Sequence, residues 1–183
     1  MKVKATLDEI AGNIRKFGEV DLDPRSTREF IRRIRKARRV FVYGAGRSGM
    51  VGKALAQRLM HLGFESYALG ETITPFMNRR DLLICVSGSG GTTSTVAIAR
   101  KAKKEGATVI AVTATPKSDM GRLADMVFYV RGKSKIAKTP SLAPFTSLFD
   151  ITTLAVFDAI CAQIMDELSI TEKTIERTHA NVE

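Results

Sequence analysis

Five short apolar runs alternating with segments of helical periodicity constrain this 183-residue chain more than any other feature. The runs are "RVFVY" (39–43), "FESYAL" (64–69), "DLLICV" (81–86), "TVIAVT" (108–113) and "DMVFYV" (125–130). Strands apolar along their whole length are buried on both faces, which a parallel sheet between two helical layers provides. Helical patterns follow in "SGMVGKALAQRLMHLG", "TVAIARKAKKEG", closed by Gly106, and the short "SDMGRLA". A long one runs from Phe145 to Leu168 and a last one covers "TEKTIERTH". Before the first strand, Leu7, Ile10, Ile14 and Phe17 form a helical stripe over 5–17. Asp23, Pro24 and Ser26 are start signals for a second, Arg-rich helix. The predicted architecture is a three-layer αβα fold with extra helices at both ends.

The chain fits a single domain over 1–183, with no repeat and no Pro- or Ser-rich linker. "MKVKATLDEIAGNI" lacks the apolar core of a signal peptide. "ITTLAVFDAICAQIM", interrupted by Asp158 and Gln163, is predicted too short to span a bilayer, so no membrane partner is expected. Cys85 and Cys161 read as small buried hydrophobes outside any metal or disulfide spacing, which points to a reducing, cytoplasmic setting. Basic residues outnumber acidic ones by 29 to 19, and many crowd into "REFIRRIRKARR" (28–39). The simplest account is the solvated face of an amphipathic helix. A nucleic-acid contact through Arg32, Arg35 and Arg39 is the sharper alternative, but no interleaved aromatics support it. A positive field also attracts anionic metabolites.

Two glycine loops carry the functional argument. The first, "VFVYGAGRSGMVG", contains G-x-G-x-x-G at Gly44, Gly46 and Gly49, the weak fingerprint of a dinucleotide site. With it goes Glu71, near the end of the second strand where a ribose-binding acid would sit. The second loop, "SGSGGTT", is rich in hydroxyls: Ser87, Ser89, Thr92, Thr93 and Ser94 open a helix. Hydroxyls and free N–H groups at a helix N-terminus suit a phosphate dianion, although Ser and Thr there also serve as plain caps. The loops follow the first and third strands. Those strands are neighbours in the flavodoxin-like order 2-1-3-4-5 and are separated in the dinucleotide order. If the loops act together, the former order holds and the ligand is one phosphomonoester.

These residues resemble the sugar isomerase (SIS) domains, and within them the 6-phospho-3-hexuloisomerase family. The likeness lies in "YGAGRSGMVGKALAQRLMHLGF" (43–64), "GETITP" (70–75), "DLLICVSGSGGTTS" (81–94) and "HANVE" (179–183). It implies a five-stranded parallel sheet in the order 2-1-3-4-5, a homotetramer, and interconversion of 3-hexulose 6-phosphate with fructose 6-phosphate. Neither a metal nor an organic cofactor is implied. Carried over, Ser48, Ser87, Ser89 and Thr92 hold the phosphate, while Gly46 and Arg47 shape the first loop against the sugar. The reaction needs a base over a cis-enediol. The family's glutamate position in a "G-T-L-F-E"-like segment is Asp150 here, in "TSLFD", one methylene shorter. The plain alternative for Asp150 is a helix cap.

The resemblance also implies a role for His179 in ring opening or in passing protons to the oxygens, and a place for His61 at a neighbour's site across an interface. Each histidine is equally well read as a packing residue. Glu71 becomes a contact to substrate hydroxyls or to a neighbouring subunit. Arg131, Lys133, Lys135 and Lys138 are solvated or form a lid. Rival expectations are a non-catalytic phosphosugar sensor and an SIS isomerase for another phosphosugar. A nucleic-acid binder and a dinucleotide oxidoreductase follow further behind.

Overall fold

In the computed structural model, which describes residues 1–133, 140–179 and 181, five strands build one sheet. They are β1 (Val40–Gly44), β2 (Ser66–Ala68), β3 (Leu82–Val86), β4 (Thr108–Thr113) and β5 (Met126–Tyr129). All pairings are parallel and the order is β2-β1-β3-β4-β5. The predicted three-layer fold and strand order are thus the ones found.

Alternation along each strand assigns the layers. Val40, Val42, Leu82, Ile84, Ile110 and Val112 face one side, while Phe41, Leu83, Cys85, Val109 and Ala111 face the other. The first side is covered by α2 (Pro24–Lys36), α3 (Gly46–His61) and α6 (Ser147–Leu168). The second is covered by α4 (Thr93–Lys104) and α5 (Asp119–Leu123). At the ends lie α1 (Lys2–Lys16), continued by a π-helical turn over Phe17–Asp21, and α7 (Glu172–Thr178).

The start signals of α2 act as their chemistry dictates. The Asp23 carboxylate accepts from the N–H groups of Arg25 and Ser26, and Pro24 occupies the first turn. This helix stops at Lys36, earlier than the Arg-rich run suggests. Arg39 therefore leaves the basic face altogether. Its guanidinium is buried against Asp81, with N–O distances of 2.9 and 3.2 Å, and also donates to the Phe76 carbonyl. A nucleic-acid surface that includes Arg39 is ruled out by that burial.

The helix α6 corrects a second expectation. At 22 residues it is long and apolar enough to cross a membrane by length and composition. One of its faces, Phe149, Val156, Phe157, Ile160 and Ile164, is buried in the protein's own core. Cys85 and Cys161 are free and buried, and burial pushes both thiols up to about 12.

Candidate functional site

Gly44 and Val86 are register partners at the ends of β1 and β3, so the two glycine loops leave the sheet side by side. The close approach of the first loop to its own strand has a steric cause. A Cβ on Gly49 would lie 2.5 Å from the Gly44 carbonyl oxygen, so the fingerprint spacing lets α3 seat on the end of β1. No dinucleotide is needed to account for it. In the second loop Gly90 has φ +60, and a Cβ there would collide with the Ser118 hydroxyl at 1.9 Å. Its N–H donates to Ser87 and its carbonyl accepts from Met120, which pins the loop.

Between the loops opens a cavity of about 200 Å³. Gly46, Arg47 and Ser48 line one wall, and Ser87, Ser89 and Thr92 line the other. The structure thereby brings together the four residues expected to hold the phosphate, Ser48, Ser87, Ser89 and Thr92, and the two expected to face the sugar, Gly46 and Arg47. Thr92 is the N-cap residue of α4, yet its side chain caps nothing; its Oγ1 lies 3.2 Å from the Ser87 Oγ. Ala45 at the N-cap of α3 likewise offers no side-chain cap. Two uncapped helix N-termini therefore converge on one space with their positive dipole ends inward. That electrostatic arrangement suits a compact dianion.

The third wall, Phe145 and Thr146, was not foreseen. Phe145 has φ +45, rare for a large side chain, and is largely exposed. Thr146 stands one turn before Asp150 and donates to its Oδ2 at 2.7 Å. Ser48 donates to Oδ1 at 2.8 Å, and Arg47 Nε lies 3.4 Å from Oδ2. Asp150 is buried at 1% exposure and stands immediately behind the cavity wall rather than lining it. The capping alternative does not describe it, since Thr146 occupies the N-cap and the Asp150 carboxylate takes bonds from two side chains. The signal for Thr146 was present in the i−4 spacing within "TSLFD".

The histidines lie elsewhere. His61 ends α3 and its ring stacks on that of His179 with centroids 5.2 Å apart. The Thr178 hydroxyl donates to the His61 carbonyl and fixes the end of α7 there. Over the 16 residues of α3, the pair sits about 24 Å along the axis from the loops. Burial, followed by the neighbouring charges of His179 and Arg58, holds His61 below the ordinary imidazole range. Glu71 pairs with Lys53 on α3 and does not line the cavity. Of the proposed lid cations, Lys135 and Lys138 lie outside the described residues, while Arg131 pairs with Asp21.

A model of the SIS domain family matches residues 33–162. The chain belongs to the SIS domain family. It is 44% identical over 165 residues to an uncharacterised protein of Archaeoglobus fulgidus, covering 88% of this chain and 90% of the relative. It is 37% identical over 179 residues to the 3-hexulose-6-phosphate isomerase of Methanocaldococcus jannaschii, with 96% of each chain covered. Among solved structures, one from Methanococcus jannaschii superposes with a TM-score of 0.87 at 37% identity, covering 97% of this chain and 98% of that one. A 3-hexulose-6-phosphate isomerase function was inferred for that protein. As an SIS domain, this chain carries its hydroxyl loops at the rim where open α/β sheets take ligands.

Proposed function

We propose that the whole chain acts as one SIS domain that interconverts 3-hexulose 6-phosphate and fructose 6-phosphate through a cis-enediol. The observation that carries this reading is the cavity where Ser48, Ser87, Ser89 and Thr92 meet, with one buried carboxylate, Asp150, directly behind it. The loops grip the phosphate, and Gly46 and Arg47 orient the sugar. Asp150 takes the proton from C2 of the 3-hexulose, and that electron pair forms the C2=C3 double bond as the C3 oxygen becomes an enediolate. A proton then moves between the two oxygens and the carbon-bound proton is returned to C3, so nothing is gained or lost. Arg47 is placed to stabilise the developing negative charge.

Within one chain the His61–His179 pair is too far from the cavity for oxygen-to-oxygen transfer. Its service, like that of Glu71, belongs to a neighbouring copy's site in a homotetramer. Free, buried Cys85 and Cys161 support a reducing, cytoplasmic setting.

Fructose 6-phosphate incubated in D2O with the protein is expected to gain deuterium at C3. Asp150→Asn should abolish the exchange while leaving competitive binding of inorganic phosphate. Binding without exchange in the wild type would instead favour a non-catalytic phosphosugar sensor. The feature that supports this second reading is the burial of Asp150 behind Ser48 and Thr146.

A further inference from the structure

The N-terminal helix is hydrogen-bonded at several points to the segments that lead into the Phe145–Thr146 wall of the cavity. Glu9 on α1 accepts from two successive backbone N–H groups, Leu142 at 2.8 Å and Ala143 at 2.9 Å, just before the Phe145–Thr146 wall. One turn later, Asn13 donates through Nδ2 to the Thr152 hydroxyl at 2.8 Å and to the Arg131 carbonyl at 3.2 Å. Glu9 and Asn13 share a face of α1 by their i, i+4 spacing. At the end of the π-helical turn, Asp21 pairs with the Arg131 guanidinium. These contacts bridge well over a hundred residues of sequence. They fasten the chain where it leaves β5, where it re-enters before α6, and on the first turns of α6 itself.

A carboxylate that accepts two consecutive amides fixes both the position and the orientation of the peptide between them. From Ala143 the backbone has only Pro144 before Phe145, whose positive φ sets the direction of the wall. Thr146 then carries the hydroxyl that holds Asp150. Proton transfer tolerates little displacement, so a wall that shifts carries the base out of reach. We propose that Glu9 and Asn13 are positioning residues that hold Thr146 and Asp150 in register with the phosphate loops. Proton transfer at Asp150 is taken from the functional reading above, whereas the positioning is independent of it.

The test uses the full chain with Glu9→Ala, Glu9→Gln and Asn13→Ala. With fructose 6-phosphate, Glu9→Ala and Asn13→Ala are expected to lower kcat about tenfold to a hundredfold while KM stays within about twofold, since the gripping loops are untouched. Glu9→Gln should recover most of the rate because its amide oxygen still accepts. In parallel, hydrogen exchange at the Leu142 and Ala143 amides should accelerate in Glu9→Ala, and the NMR shifts of Phe145, Thr146 and Asp150 should move. Unchanged kcat in folded variants would overturn the proposal, and so would a loss explained wholly by unfolding. If the wild-type protein turns over no hexulose phosphate, the enzymatic reading fails alone. The amide and shift measurements then decide: movement at Thr146 and Asp150 upholds the positioning role, and none overturns it.

Discussion

Ser48 donates its hydroxyl to Asp150 across 2.8 Å, joining the first glycine loop to the first turn of α6. A serine hydroxyl has one proton to give. When Ser48 turns that proton toward a phosphate oxygen, Asp150 keeps only Thr146 and Arg47 as partners. On the proposed function, gripping the phosphate would at the same moment free Oδ1 of the proposed base. Ser48→Ala is expected to weaken competitive inhibition by inorganic phosphate about tenfold or more, on the scale of a hydrogen bond to a charged group. Inhibition equal to that of the wild type would remove Ser48 from the clamp.

The distance between the His61–His179 pair and the cavity makes mixing of subunits informative. Asp150→Asn and His179→Asn are each expected to lack isomerisation of fructose 6-phosphate to the 3-hexulose phosphate when pure. Unfolded together and refolded, the mixture should regain part of it, because some cavities then combine an intact carboxylate with a neighbour's intact histidine. A mixture as silent as its parents would confine the histidines to packing.

Stability should depend on pH through His61. Its Nδ1 is buried without a hydrogen-bond partner, and its folded pKa lies below the ordinary 6.5 because of burial and then the positive neighbours His179 and Arg58. Above 6.5 the imidazole is neutral both folded and unfolded. As the pH falls through 6.5, the unfolded chain takes up a proton that the folded one refuses, so stability declines. Thermal melts between about pH 8 and pH 5 should show this fall. His61→Gln should flatten it, and an unchanged slope in that variant would exclude His61 as its source.

The buried pair of Arg39 with Asp81 predicts a large loss on truncation of one partner. Asp81→Ala leaves a guanidinium in the core and is expected to cost about 3–5 kcal/mol in urea denaturation. The double replacement Arg39→Met with Asp81→Leu should recover much of that. Recovery will be incomplete because Asp81 also accepts from the Asn78 N–H at 2.8 Å.

Much of the fold was legible because its cues are local. The apolar strands, the cap at Asp23, the stop at Gly106 and the hydroxyls of the second loop each act within a few residues of themselves. The six phosphate-loop residues followed once β1 and β3 were placed as neighbours. What escaped depends on distant parts of the chain. Arg39 looked like one more surface cation, and only Asp81, 42 residues later, draws it inward. Thr146 and Phe145 became visible as a wall only when α1 folded back across the chain to hold the segment before them. The removal of both histidines from the cavity follows from the straight run of α3, which no motif records.

The bare contact of Gly49 with the Gly44 carbonyl also separates the scaffold from its cargo. Helix and strand interlock through main chain alone, while the intervening side chains Arg47 and Ser48 line the pocket and contact Asp150 rather than that joint. The joint of β1 with α3 therefore does not depend on which side chains Arg47 and Ser48 carry, although Ser48 also ties the loop to α6. It offers a place where appetite for a new headgroup could be engineered.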